Sequence, residues 1–216
     1  MKILITGTSR GIGKATAEKF LSCGHTVIGM DIEGSTIEHE NYTHLLCDVA
    51  ISPLPSIDGV EIIVANAGIQ SQSEKDITVN LGGTVRIVEK YAFQPQIKAV
   101  VTVASASGST GAEFPEYAAS KGGVIAYTKN VAQRLAKYGA TANSISPGGV
   151  VTEMNDHILH NEKLYDAVKK EALLKKWATA EEIAEWIYFV SVVNKSMTAQ
   201  DVLIDNGEGA NFNFIW

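Results

Sequence analysis

Short, continuous apolar runs rich in β-branched residues recur along the chain at "KILITG", "HTVIGMD", "THLLCDV", "EIIVANAG", "AVVTVAS" and "TANSISPG", with a last one at "QDVLID". Between several of them the apolar spacing lengthens to a helical period. Ile12, Ala15, Phe20 and Cys23 mark one such interval, Val85, Val88 and Ala92 the next, and Val124, Thr128, Val131 and Leu135 a third. Apolar strands alternating with helices predict a parallel sheet covered on both faces. The fold class is therefore α/β, a doubly wound parallel sheet in three layers, and no repeat or linker divides residues 1–216 into more than one domain. One interval breaks the alternation: "VAISPLPSIDGV", between Asp48 and Glu61, holds Pro53, Pro55 and Gly59, which oppose a crossover helix. A short or irregular link is expected there.

Composition narrows the function classes. With 216 residues and 45% of them hydrophobic, the chain can build one substantial core. A net charge of −6 argues against a nucleic-acid partner, because phosphate binding needs concentrated Lys and Arg. The start at Met1 has no leader pattern and no run is long enough to span a membrane, so a cytoplasmic protein is expected. Cys23 and Cys47 lie far apart without a C-x-x-C spacing and read as packed, reduced thiols. His157 and His160 could share a helix face, but no third ligand stands at a suitable spacing, so no metal site is predicted.

The first strand ends in "TGTSRGIG", where Gly7, Gly11 and Gly13 stand at the turn into a helix. Glycines there permit positive φ and let backbone N–H groups approach a ligand, while the helix start offers partial positive charge to a pyrophosphate. Asp31 ends the second strand, 24 residues after Gly7, where a carboxylate accepts hydrogen bonds from ribose hydroxyls and repels a 2′-phosphate. In "YAASK", Tyr117 and Lys121 are four apart and share a helix face, so an ammonium would favour the phenolate and fit the phenol for proton exchange with a carbonyl–alcohol pair. Ser105 ends "AVVTVAS" at the ligand-binding edge of the sheet, and Asn80 begins another helix in "TVNLGGT".

The G-x-x-x-G-x-G spacing and these four side chains together resemble the short-chain dehydrogenase/reductase family, over about residues 2–207. The resemblance implies a Rossmann-type fold and a nicotinamide cofactor cradled by Gly7, Thr8, Ser9, Arg10, Gly11, Ile12 and Gly13. It implies that Ser105 orients a carbonyl, that Tyr117 exchanges the proton, and that Lys121 binds the nicotinamide ribose and tunes the tyrosine. Asn80 would support a water that relays protons to Lys121. "NAG", Asn66 to Gly68 through Ala67, looks like the family's sheet-stabilising segment, and "CDV" puts Asp48 and Val49 at the adenine. In "SPGGVVTEM", Pro147, Gly148 and Val150 would line the nicotinamide and Thr152 would hold its carboxamide. Ser105 is preferred to Ser107 because it stands three residues before Gly108, as in the family's S-x-x-G.

Asp31 implies NAD(H) as the preferred cofactor. Arg10 leaves NADP(H) possible, since family members that use it often place a basic residue there. The intervals from Asp48 to Asn66 and from Asn66 to Asn80 are short, which implies a more open cleft. Residues 153–177, helical in period and rich in charge, correspond to the family's substrate lid, and the aromatic end "NFNFIW" is expected to pack on its own domain or a neighbouring subunit. The expected activity is NAD(H)-dependent interconversion of a secondary alcohol and a ketone. An NADP(H) ketoreductase of 3-oxoacyl or sugar type and an inactive nucleotide-binding scaffold are the alternatives. By analogy the protein forms a homodimer or homotetramer through about residues 77–93 and 118–138.

Overall fold

The computed structural model describes residues 1–71, 73–112 and 114–212. Seven strands form one parallel sheet: β1 Lys2–Thr6, β2 Thr26–Asp31, β3 Tyr42–Leu46, β4 Ile62–Ala65, β5 Ala99–Val103, β6 Thr141–Pro147 and β9 Asp201–Ile204. They lie in the order β3-β2-β1-β4-β5-β6-β9, and all seven predicted apolar runs are strands of it. A separate pair, β7 Val150–Val151 and β8 Ala178–Thr179, joins the two ends of the excursion between β6 and the last helix.

Alternation along the strands divides the core. Ile3 and Ile5 of β1 face Phe20 on α1 (Gly11–Ser22) and Ile183 and Ile187 on α7 (Ala180–Tyr188). Leu4 faces the other layer, with Ile87 on α2 (Thr84–Tyr91) and Val131 and Leu135 on α4 (Pro115–Leu135). Every residue of β4 and β5 is buried, as the continuous apolar runs require of central strands. Helix boundaries follow local chemistry: Pro115 occupies the first turn of α4, and Thr179 and Glu182 form a reciprocal capping box at α7.

The expected link without a helix spans residues 47–61. Leu54, Ile57 and Val60 pack against the core in its place. Side chains of α2 fasten it from below: Arg86 donates to the Val49 and Ser52 carbonyls, and the Tyr91 hydroxyl donates to the Pro55 carbonyl at 2.6 Å. A second crossover, residues 32–41, also lacks a helix, which the sequence pattern did not anticipate. Ser35 closes a small turn on Ile37, whose buried side chain fills the space under the sheet. Two missing helices leave Ile32, Leu46 and Ile51 exposed at that corner.

The remaining elements flank the sheet's carboxyl edge. A π-helical turn, Ile77–Gly83, precedes α2, and the short α3, Ser107–Thr110, precedes α4. The predicted lid contains α5 Asp156–Leu159 and α6 Glu162–Lys169, and its ends are tied where the Ala178 N–H donates to the Gly149 carbonyl at 3.1 Å. Of the aromatic C-terminal segment, Asn211 donates to the Glu171 carbonyl at 2.6 Å and Phe212 is exposed. Residues 213–216 lie outside the described residues, so the expected packing of the tail is not addressed beyond Phe212.

Candidate active site

β1 delivers Gly7 to the carboxyl edge of the sheet next to β4, where the strand order reverses and open α/β sheets bind ligands. Gly7 and Gly11 adopt φ of 75° and 54°. A Cβ on Gly13 would lie 1.8 Å from the Gly7 carbonyl oxygen, so glycine is what lets α1 begin directly against the turn. The first turn of α1 carries no acidic side chain, leaving its positive end for an anion. Thr6 Oγ1 accepts from the Asn66 and Ala67 N–H groups, both at 3.0 Å. Asn66 Nδ2 in turn donates to the Thr6 and Gly7 carbonyls at 3.0 and 3.2 Å, so the "NAG" exit of β4 braces the turn.

At the far end of this turn, Asp31 accepts from the N–H groups of Ser9 at 2.9 Å and Glu33 at 3.0 Å, one to each oxygen. Arg10 pairs with Glu33 at 3.2 Å, both side chains being well exposed. Buried Thr8 shares a 2.9 Å hydrogen bond with the Tyr42 hydroxyl, itself 3.0 Å from His44 Nδ1. Asp48 Oδ1 accepts from Ala50 N–H at 2.7 Å, and Val49 is buried beside it against Gly83.

Three of the four predicted catalytic side chains, Asn80, Tyr117 and Lys121, come together beside the ends of β4 and β5. Lys121 is 5% exposed, and its Nζ donates to the Val103 carbonyl at 2.9 Å. That Nζ stands 5.7 Å from the centroid of the Tyr117 ring, the arrangement expected of i and i+4 on α4. Burial pushes the Lys121 ammonium down to about 8, with the Asp76 charge opposing the fall. Asn80 is buried in the π-turn; its Oδ1 accepts from Ile69 N–H at 2.8 Å, and its Nδ2 donates to the Ile69 carbonyl and to Ser120 Oγ. A Cβ on Gly68 would lie 3.1 Å from Asn80 Oδ1 and 3.3 Å from Lys121 Nζ, so this glycine lets the two side chains converge.

Ser105 Oγ accepts from Ser107 N–H at 3.2 Å and donates to Ser107 Oγ at 3.3 Å, and both serines are buried. A Cβ on Gly108 would lie 2.7 Å from Gly122 N, so glycine there lets the serine turn close on α4 beside Lys121. The Ala106 N–H donates to the Pro147 carbonyl at 2.9 Å, which couples the serine turn to the segment that follows β6. Gly149 of that segment packs directly under the Trp177 indole, and Gly148 against Asp205. The Thr152 methyl would lie 3.4 Å from a Cβ on Gly11, which brings residues 147–152 across from the glycine turn. The glycine turn, the Asn80–Tyr117–Lys121 group and residues 147–152 thus lie along the carboxyl edge of the sheet.

A family model described as Enoyl-(Acyl carrier protein) reductase matches residues 54–208. The chain belongs to the short-chain dehydrogenase/reductase family. It is therefore an oxidoreductase of CH–OH groups that uses a nicotinamide cofactor. It is 29% identical to the 3-oxoacyl-[acyl-carrier-protein] reductase FabG of Aquifex aeolicus, over 94% of this chain and 95% of the relative. Among solved structures, 4-hydroxyisoleucine dehydrogenase complexed with NADH superposes with a TM-score of 0.86 at 27% identity, covering 98% of this chain and 99% of that one. A variant of ElxO with NADPH bound gives 0.85 at 24% identity, covering 97% and 99%, and speaks to the fold alone.

The residues present fit the family's cofactor. The positive-φ glycines, the close approach of α1 to the turn that glycine at position 13 allows, and a first helical turn with no acidic side chain of its own suit a pyrophosphate. Among the described residues no group of three His, Cys, Asp or Glu is placed to hold a metal ion, and His157 and His160 are exposed. No helix there is long and apolar enough to cross a membrane. Sequence reasoning passed over Thr6, Glu33 and Trp177. Thr6 ends a strand one residue before the first glycine and Glu33 alternates with Asp31, which are weak signals; Trp177 had none.

Proposed function

We propose that the protein interconverts a secondary alcohol and a ketone with NAD(H), Tyr117 moving the proton and Lys121 and Ser105 supporting the charge on the reacting oxygen. The bound nicotinamide supplies the hydride chemistry. The observation that carries this reading is the buried Lys121 held by the Val103 carbonyl under the Tyr117 ring. A buried ammonium is costly unless it serves a partner, and here its neighbours are a phenol and the cleft that fits the cofactor. Ser105, at the end of β5, supplies a hydroxyl to the substrate oxygen, and Asn80 holds the loop at Ile69 and the start of α2 in register with Lys121. Gly7 to Gly13 would cradle the pyrophosphate, Asp48 and Val49 the adenine, and Pro147, Gly148, Val150 and Thr152 the nicotinamide. Residues 153–177 serve as the substrate lid.

The preference for NAD(H) rests on the pairing of Arg10 with Glu33. The cation that would meet a 2′-phosphate is already neutralised, and Asp31 and Glu33 leave one net negative charge beside the ribose. The pair is exposed and individually weak, so the discrimination is expected to be modest, about tenfold. The test is binding of NADH and NADPH by nicotinamide fluorescence to wild type, Asp31→Ala and Glu33→Gln. Tighter NADH binding, with the ratio narrowed in both variants, is expected. Tighter NADPH binding by wild type would put the ketoreductase reading first, which the names of the 3-oxoacyl reductase relatives favour, and binding of neither would favour an inactive scaffold.

Assembly into a homodimer or homotetramer belongs to the same reading, with the expected face at about residues 77–93 and 118–138 as one route. On that face Arg134 and Tyr127 both reach Glu89. A second route is the exposed apolar group of Trp186, Phe189 and Val193 on α7 and the turn after it.

A further inference from the structure

Asp76 heads the π-turn that carries Asn80, one turn before it, and is fully buried. One carboxylate oxygen, Oδ1, accepts from the Ser71 N–H at 2.8 Å and the Ser71 hydroxyl at 2.7 Å. The other, Oδ2, is buried with no hydrogen-bond partner among the described residues. An orphaned buried carboxylate oxygen is expensive and calls for a compensating charge or donor. The buried cation on this side of the turn is Lys121: a Cβ on Gly68 would lie 3.3 Å from its Nζ and 3.1 Å from Oδ1 of Asn80, which stands one turn after Asp76. Asp76 also acts on it electrostatically. Lys121 donates to the Val103 carbonyl and has two further N–H groups. Other groups facing this space are the Tyr117 phenol ring and the Asn80 amide; the neighbouring Glu74 and Lys75 point to solvent.

We infer that Asp76 is the internal counter-ion of Lys121, a positioning residue that keeps the ammonium charged inside the protein, with Oδ2 receiving a buried water between the two groups. The inference rests on the proposed role of Lys121, since a charged ammonium is what supports the Tyr117 phenolate and a cofactor ribose. Ser71 fixes the carboxylate in place by giving two donors to one oxygen. The acidic residue that sustains the reaction's cation then comes from the loop after β4, and its position depends on the shortened interval between Asn66 and Asn80.

The experiment is a direct titration of Lys121 by NMR of 13C-labelled lysine in the cofactor-free protein, with the Lys121 signal assigned by its loss in Lys121→Met. In wild type the signal is expected to titrate at about 8. In Asp76→Asn, which keeps the shape and removes the charge, the midpoint is expected to fall by at least about half a pH unit. NADH affinity at pH 8 is expected to weaken at least about twofold in parallel. Coinciding midpoints in folded Asp76→Asn and wild type overturn the inference. Should Asp76→Asn not fold, Asp76→Ser decides by the same Lys121 titration, in which the midpoint is again expected to fall below that of wild type. An unmoved Lys121 midpoint in Asp76→Ser overturns it equally. Failure of wild type to bind NADH while the Lys121 midpoint still moves in Asp76→Asn would count against the proposed function and leave the ion pair standing.

Discussion

Lys121 shows how one residue sets stability and function against each other. Burial lowers its ammonium from the model-compound value of 10.5 to about 8. Below the folded value both states carry the proton and the folded state bears the full cost, on the order of 3 kcal/mol. Between the folded and unfolded values the unfolded chain binds more protons, so stability rises with pH through that window and the cost is gone above it. Lys121→Met removes that cost but strips the buried Asp76 carboxylate of its cation, so in urea denaturation near pH 7 it is expected to gain no more than about 1 kcal/mol over wild type. It is expected to lose NADH binding at the same time. Tyr117→Phe, by contrast, keeps cofactor binding and loses turnover by at least about a thousandfold, because it removes the proton donor and leaves the ammonium in place. At Thr6, one hydroxyl serves two buried amides, so Thr6→Val should cost about 2 kcal/mol in the same denaturation assay.

Among the elements, the glycine turn and α4 were legible because each needs a particular residue at a particular spacing. Positive φ at Gly7 and Gly11 and the i, i+4 relation of Tyr117 and Lys121 are local facts, readable without the rest of the chain. Gly13→Ala is expected to push α1 off the turn and to abolish NADH binding, with a melting temperature lowered by at least about 5 °C, since its Cβ would meet the Gly7 carbonyl. The crossovers were only half legible. Proline and glycine announced the missing helix in residues 47–61, whereas residues 32–41 offered no breaker stronger than Gly34. That second link depends on how Ile37 fits beneath the sheet. Arg86 stabilises the first link from another element, and Arg86→Met is expected to raise amide hydrogen exchange across residues 49–55 before any global loss of structure.

For the whole molecule, the strand order brings the ends of β1, β4 and β5 together, so side chains distant in sequence reach one edge of the sheet at its reversal. Trp186, Phe189 and Val193 are exposed on α7 and the turn after it, and a second copy placed there would cover them. Trp186→Glu is accordingly expected to lower the mass measured by sedimentation, with the far-UV circular dichroism unchanged. By itself the sequence determined the seven strands, the parallel class, the glycine turn and the shared helix face of Tyr117 and Lys121. All of these rest on periodicity, backbone freedom or fixed spacing, which are properties of short stretches. Only the tertiary structure decided that Glu33 neutralises Arg10, that Thr6 and Asn66 brace the turn, that Trp177 covers Gly149 and that Asp76 is buried with Lys121. Those relations join residues from separate elements, and the energy of a charge or a hydrogen bond depends on what surrounds it after packing, which no local pattern records.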